Sequence, residues 1–387
     1  MSRNRVIYQS EGLYVSRDAS LTGSIDHEQL GRVQSANYSF TINRQDVNQF
    51  GNLARIDSLV LDPPTVSLDF SYYLTDGFNE RSLGFYVETT GTNMMRGDIG
   101  AANTPGNFAS GHLTSNSGVN FYIVTSPDGD DLNTAATGAA LDDNDTTIGL
   151  GNCYVSDYSV DLSVGSLPTV NVTVEGANMN TSMSSASGQI VSPAIDQELG
   201  TKFTASGVQL PNPTNDGGLT GSTGGAVITA LRPGDVTLDL GNVQNQSLVI
   251  LSGTDGAHIQ SASISMPLSR TPIDRLGSRF PFAREVDFPL TATMNISAIV
   301  AVSQAGNLAD ILNSGVDSAT ITIADTDGAD AIKYTMKGLK VDSQSFSSSI
   351  GSNKTVDITF STQIGGPNDL AHGLYMSGIN GDIQVFG

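Results

Sequence analysis

The chain of 387 residues has no tryptophan and one cysteine, Cys153. A lone cysteine cannot close an internal disulfide, so the fold does not depend on an oxidising compartment. Burial as a small hydrophobe is the expected role of Cys153, ahead of any nucleophilic one. Cations are scarce as well: 18 Lys and Arg stand against 39 Asp and Glu, for a formal charge of −21. That balance argues against tight nucleic-acid binding, which needs Lys and Arg to neutralise phosphates. It leaves room for a surface that DNA passes without sticking, and it keeps copies of the chain apart until assembly begins. No apolar run is long enough to span a bilayer. The opening MSRNRVIYQSEGLYVS has no apolar segment after its basic residues, so a signal peptide is not expected. A soluble protein made and assembled in a cytoplasm is the expectation.

Motifs of chemistry are also missing. His27, His112, His258 and His372 show no metal-ligand spacing and read as surface or loop residues. No nucleophile elbow and no P-loop is present. Three acidic clusters, Asp128-Gly129-Asp130-Asp131, Asp142-Asp143-Asn144-Asp145 and Asp325-Thr326-Asp327-Gly328-Ala329-Asp330, offer the oxygens that Ca²⁺ takes. None has the full loop spacing with a closing Glu, and Asp and Gly are ordinary turn residues, so solvated turns are expected. The sequence thus points to no catalytic residue, no metal, no cofactor and no enzyme.

What is present is glycine, 42 residues of it, among many Val, Ile, Thr, Ser and Tyr. That mixture suits short strands and turns. The strongest signal is internal duplication. Residues 33–72 (VQSANYSFTINRQDVNQFGNLARIDSLVLDPPTVSLDFSY) align without a gap on residues 259–298 (IQSASISMPLSRTPIDRLGSRFPFAREVDFPLTATMNISA). Gln34, Ser35 and Ala36 match Gln260, Ser261 and Ala262; Arg44 matches Arg270, Gly51 matches Gly277 and Pro63 matches Pro289. The run Asn116-Ser117-Gly118-Val119 recurs as Asn313-Ser314-Gly315-Val316, and the stretch from Tyr154 recurs from Lys340 with Gly165 matching Gly351. The three blocks keep their order, and the first copy carries extra residues.

Within a copy the pattern has a period of two, the mark of a half-buried strand. Ala36, Tyr38, Phe40 and Ile42 alternate with Ser35, Asn37, Ser39 and Thr41, and Val66, Leu68, Phe70 and Tyr72 alternate with Thr65, Ser67, Asp69 and Ser71. The second copy keeps the phase, with Ala262, Ile264, Met266 and Leu268 opposing Ser261, Ser263 and Ser265, and Ala292, Met294 and Ile296 opposing Thr293 and Asn295. The connections 44–64 and 270–289 are too long for tight hairpins. A hairpin is expected near Gly165 and near Gly351, and one short helix at Asn307–Leu312. The resulting expectation is an all-β chain of two tandem, duplicated β-sandwich or partial-barrel domains with little helix. Residues 1–178 form the first, with extra loops at about 73–115 and 130–150; residues 179–224 form a Gly/Ser/Thr/Pro-rich connector or arm; residues 225–387 form the second.

RNRVIYQSEGLYVS, VQSANYSFTI, RQDVNQFGNLARI and PPTVSLDFSYYLTDG resemble the tail tube (major tail) proteins of long-tailed bacteriophages, and the second copy carries a weaker version of the middle part. The matching blocks cover about half the chain. The resemblance implies a virion protein without enzymatic activity, assembled in the host cytoplasm. Its subunits form rings that stack as a helical assembly into the hollow tail through which the genome is ejected. Fused copies would give a homotrimer with pseudo-hexameric symmetry. The implied partners are further copies of the chain, other tail proteins, and DNA that crosses the lumen without specific binding; no membrane insertion is implied. On this reading Asn37, Ser39, Thr41, Ser67, Asp69, Ser263, Ser265, Thr293 and Asn295 line the lumen. Arg44, Arg55, Arg270 and Arg284 are the expected subunit-interface residues, meeting carboxylates of an acidic neighbour. The competing expectation is a tandem β-sandwich binding module, such as an adhesin, a carbohydrate-binding protein or a capsid decoration protein; the lack of tryptophan counts against a sugar site. A polysaccharide depolymerase would need two positioned carboxylates, for which no signature is present.

Overall fold

The structure, a computed structural model, describes residues 11–16, 27–88, 107–114, 118–126, 132, 145–183, 189–196, 201–202, 206–210, 230–240, 248, 257–277, 280–300, 308, 311, 317–324, 330–366, 369 and 371–378. Antiparallel ladders dominate them, and the fold is all-β. The first half runs β1 (Glu11–Ser16), β2 (His27–Gln29), β3 (Val33–Thr41), β4 (Arg44–Val47), β5 (Asp57–Val60), β6 (Thr65–Tyr73), α1 (Phe78–Ser82), α2 (Ser110–Thr114), β7 (Val119–Thr125), β8 (Thr146–Ser163), β9 (Thr169–Gly176) and β10 (Asn178–Met183). Short strands β11 (Gln189–Val191), β12 (Ile195–Asp196), β13 (Thr201–Lys202) and β14 (Ser206–Gln209) follow, β11 pairing β14 and β12 pairing β13. The second half runs β15 (Val236–Asp239), β16 (His258–Pro267), β17 (Arg270–Ile273), β18 (Ala283–Val286), β19 (Leu290–Ile299), β20 (Asp317–Ala324), β21 (Asp330–Ser347), β22 (Thr355–Ile364) and β23 (Gly373–Gly378).

The two halves repeat one strand order. In the first, β3 pairs β6, β6 pairs β9 and β9 pairs β8. In the second, β16 pairs β19, β19 pairs β22 and β22 pairs β21. The seam is β8 against β16, so the eight strands form one continuous layer. Strands β8 and β21, 18 residues each, are long enough to serve two layers. A bulge after Val155 and a matching one after Val341 redirect them, since an extra residue bends a strand. Beyond the bulge β8 pairs β7 and β10, and β21 pairs β20 and β23. The β8–β9 and β21–β22 turns place Gly165 and Gly351 at the same φ of 88°, a left-handed conformation that glycine adopts without Cβ strain.

The alternation read in the sequence becomes burial. Val66, Leu68, Phe70, Ala292, Met294, Ile296, Val356, Ile358 and Phe360 all point into the core. One apolar cluster runs through both halves, from Leu13 and Phe121 to Ile321 and Met376. The segments around α1 and α2, expected as extra loops, supply part of it: Leu83, Phe85, Val87 and Phe108 are fully buried. The rings of Phe85 and Phe108 stack 4.3 Å apart, and both lie 4.9 Å from Tyr158. His112 departs from the surface reading, because its ring packs edge-on against Phe85 at 4.6 Å. Burial and the nearby Arg270 guanidinium lower its pKa to about 3, so it is a neutral core residue. Cys153 is buried too, and desolvation pushes its thiol up to about 12. The clusters at 128–131, 142–144 and 325–329, most of the Asn307–Leu312 helix and most of 184–229 lie outside the described residues.

Candidate functional site: a polar sheet face between two open edges

The eight-stranded layer has one apolar and one polar face. On the polar face lie Asn37, Ser39 and Thr41 of β3, Ser67 and Asp69 of β6, Ser263 and Ser265 of β16, and Thr293 and Asn295 of β19. All nine residues expected to act together therefore share one surface. Strands β8, β9, β21 and β22 fill the rest of it with Asp161, Asn171, Thr173, Ser345, Asp357 and Thr359. Short side chains bond one another across the strands: Ser39 to Ser67 at 2.8 Å, Thr173 to Asp69 at 2.8 Å, Asn171 to Asp161 at 3.1 Å and Thr359 to Asn295 at 2.9 Å. The rows carry several carboxylates and a cation, Lys340 of β21, which stands opposite Ser361 of β22.

The layer ends in two open edges. Among the described residues β3 pairs only β6, and residues 343–347 of β21 pair only β22. Such edges present unpaired backbone donors and acceptors. The seam β8–β16 shows the same two kinds of strand already joined, because β16 corresponds to β3 and β8 to β21. Burial differs accordingly. Ile264 and Met266 of β16 and Leu268 just after it are fully buried. Their counterparts fare differently: Tyr38 is half-buried, Phe40 is 59% exposed and Ile42 is 36% exposed. On the other edge Phe346 is 43% exposed, whereas its counterpart Val160 is buried. The buried face expected on β3 is met in part: Ala36 and Tyr38 pack against the core, while Phe40 and Ile42 stay exposed along an edge that no neighbouring strand flanks.

The long connections form hairpins of their own, β4–β5 and β17–β18. The second is docked within the chain. Arg270 lies 4.9 Å over the Tyr154 ring and donates to the His112 carbonyl at 2.6 Å. Arg284, only 7% exposed, reaches Glu175 at 3.5 Å and lies 5.8 Å over the same ring. These two arginines thus join the two halves of one chain. In the first hairpin Arg55 pairs with Asp46 at 2.8 Å in the open, and Arg44 is exposed. Apolar side chains crowd that hairpin on the surface, with Phe50, Leu53, Ile56, Leu59, Val60 and Leu61 all exposed.

Sequence reading did not find one further group. Glu80 of α1 is fully buried and accepts hydrogen bonds from Tyr72 at 2.8 Å and Tyr158 at 3.2 Å. Desolvation raises its pKa to about 7. The aromatic residues gave no hint of it, since partners far apart in the chain make the site.

No protein-family model and no curated protein matches the chain.

Proposed function

We propose that the chain is a structural subunit that joins head to tail into rings, which stack into the hollow tube of a long-tailed phage. The observation that carries this reading is the contrast between Met266 and Phe40, equivalent positions of which one is buried and the other open. A strand from a second copy, laid along β3 as β8 lies along β16, would bury Tyr38, Phe40 and Phe346 together. About 25 cal/mol is gained per Å² of apolar surface so covered. Because β21 is the counterpart of β8, the chain carries both halves of the contact, one at each end of its sheet. Such a heterologous contact closes into a ring when the rotation permits.

A closed ring places the polar rows on one cylindrical surface. Facing inward, Asn37, Ser67, Asp69, Ser263 and Asn295 with their neighbours make a wet wall in which carboxylates outnumber Lys340, so that DNA is held weakly and slides. The exposed apolar tips of the β4–β5 and β17–β18 hairpins, Phe50, Leu53 and Leu276, supply contacts from ring to ring or to other tail proteins. A tandem binding module leaves the Phe40–Met266 contrast without a purpose. Negative-stain electron microscopy of concentrated protein, with mass photometry, tests the proposal. Hollow filaments or three-chain rings support it, six-chain rings keep the tube and refute the fused-pair reading, and a chain monomeric at every concentration refutes assembly through its own edges.

A further inference from the structure

We infer that the junction between two chains is fastened by two charge pairs absent from the junction within a chain: Arg44 with Asp342, and Asp46 with Lys340 of a second copy. This rests on the head-to-tail reading above. Within a chain, the docked hairpin sets Arg270 and Arg284 over Tyr154, and Glu175 receives Arg284. The duplication supplies the corresponding residues at the chain–chain junction. On the hairpin Arg270 becomes Arg44, Pro272 becomes Asp46 and Arg284 becomes Ser58. On the sheet Tyr154 becomes Lys340, Ser156 becomes Asp342 and Glu175 becomes Ser361. The aromatic floor and the half-buried ion pair are gone, and four charges stand in their region.

All four, Arg44, Asp46, Lys340 and Asp342, are exposed. Among the described residues Arg44, Lys340 and Asp342 take part in no ion pair, and Asp46 is held only by Arg55. A direct copy of the seam sets Arg44 where Arg270 sits, and so opposite Lys340, a repulsive contact taken alone. Each cation, however, has a carboxylate two residues along its own strand. The seam ladder ends at Pro267 opposite Asp157, with the Leu268 N–H meeting the Ser156 carbonyl at 2.8 Å just beyond it. Carried on in that register it sets Arg270 opposite Tyr154, and diagonal neighbours across an antiparallel pair, about 7–8 Å apart at the backbone, are within reach of long side chains. One and the same diagonal brings Arg44 to Asp342 and Lys340 to Asp46. The hairpin thus offers plus then minus, and the sheet offers plus then minus in the opposite chain direction. A second copy of this chain is the partner such a pattern fits.

The two junctions then differ in kind. The one within a chain is partly dry and persistent, while the one between chains is exposed and weakened by salt. Salt should take rings apart and leave subunits folded. The test uses the full chain with Arg44→Glu, Asp342→Arg, and both together, and likewise Asp46→Lys, Lys340→Asp, and both. Assembly is followed by sedimentation velocity at low and high salt, and thermal melting confirms that each variant is folded. The carboxylate reversals, Asp342→Arg and Asp46→Lys, each add a cation beside Arg44 and Lys340 and should cut the assembled fraction at low salt several-fold; each double should restore it, and high salt should act on the parent as those two reversals do. Carboxylate reversals that leave assembly unchanged, or doubles no better than the worse single, overturn the pairing. A Ser39→Cys/Ser345→Cys cross-link in the parent background separates the two failures. If it forms while the reversals have no effect, only the charge pairing falls; if it does not form, the edge reading falls with it.

Discussion

The hydroxyls of Tyr158 and Tyr334 lie 2.8 Å apart, one from each half of the chain, and Tyr158 also donates to the buried carboxylate of Glu80. Tyr72 donates to the same oxygen. The four residues tie β6, α1, β8 and β21 together beneath the seam. Removing one hydroxyl tests how the bonds share the work. Tyr334→Phe leaves Glu80 with both donors and should cost about 1 kcal/mol. Tyr158→Phe leaves the Tyr334 hydroxyl buried without this partner and takes a donor from Glu80, so it should cost more, about 1–3 kcal/mol. Urea denaturation of the two variants measures the order.

Glu80 also makes stability depend on pH. Burial raises its pKa to about 7, outweighing the Tyr72 and Tyr158 hydroxyls that stabilise its charge, and Asp76 adds repulsion. A folded pKa above the unfolded one means the folded state binds the extra proton. The contribution is fully present below about pH 4.5 and is lost as pH rises through about 7, a swing of about 3 kcal/mol. Glu80→Gln keeps an acceptor for the tyrosines and removes the titration. Denaturation from pH 5 to 8.5 should show parent stability falling, relative to this variant, as pH rises; parallel curves would contradict the assignment.

The segment after β6 acts as core. Phe108 is fully buried between Phe85, Tyr158 and Tyr334. Phe108→Ala should cost about 3–5 kcal/mol, as large-to-small changes at packed aromatic sites do. If 107–114 were a dispensable loop, the melting temperature would barely move.

Much of this was legible in the sequence, and the misses share a cause. The alternation at residues 65–73 and 290–299 gave both the strand and its buried face, because a sheet packed on one side imposes a period of two. The same alternation at 33–41 gave the strand but not its burial. Exposure of Phe40 depends on whether another strand lies beside it, and periodicity does not encode neighbours. The offsets between copies identified equivalent residues, and the seam turned that equivalence into a contact. Glu80, Phe108 and His112 were missed because they have no equivalent in the second copy and no periodic pattern. Arg270 and Arg284 are expected from the sequence at a subunit interface; within the chain the structure sets them between its two halves.

Surface changes on the open edge separate assembly from folding. Phe40→Lys places a charge where a second copy would lie, on a side chain already 59% exposed. The monomer should lose less than about 0.5 kcal/mol, the usual range for surface substitutions, while rings or filaments disappear. Met266→Lys at the equivalent buried position should instead unfold the second half. Circular dichroism melts and sedimentation of the two variants check the contrast.

The most direct measurement is the cross-link of Ser39→Cys with Ser345→Cys. Copying the seam, in which Ser265 faces Ser159, puts Ser39 of one chain opposite Ser345 of the next. Facing residues of an antiparallel pair are about 4.5–5.5 Å apart, a span a disulfide bridges. Cys153 is buried and does not compete. Oxidation of concentrated protein, followed by a non-reducing denaturing gel, should give a ladder that stops at the closed ring, three chains for a fused pair. Only monomers on that gel, with both single-cysteine variants as controls, would contradict head-to-tail joining of the edges.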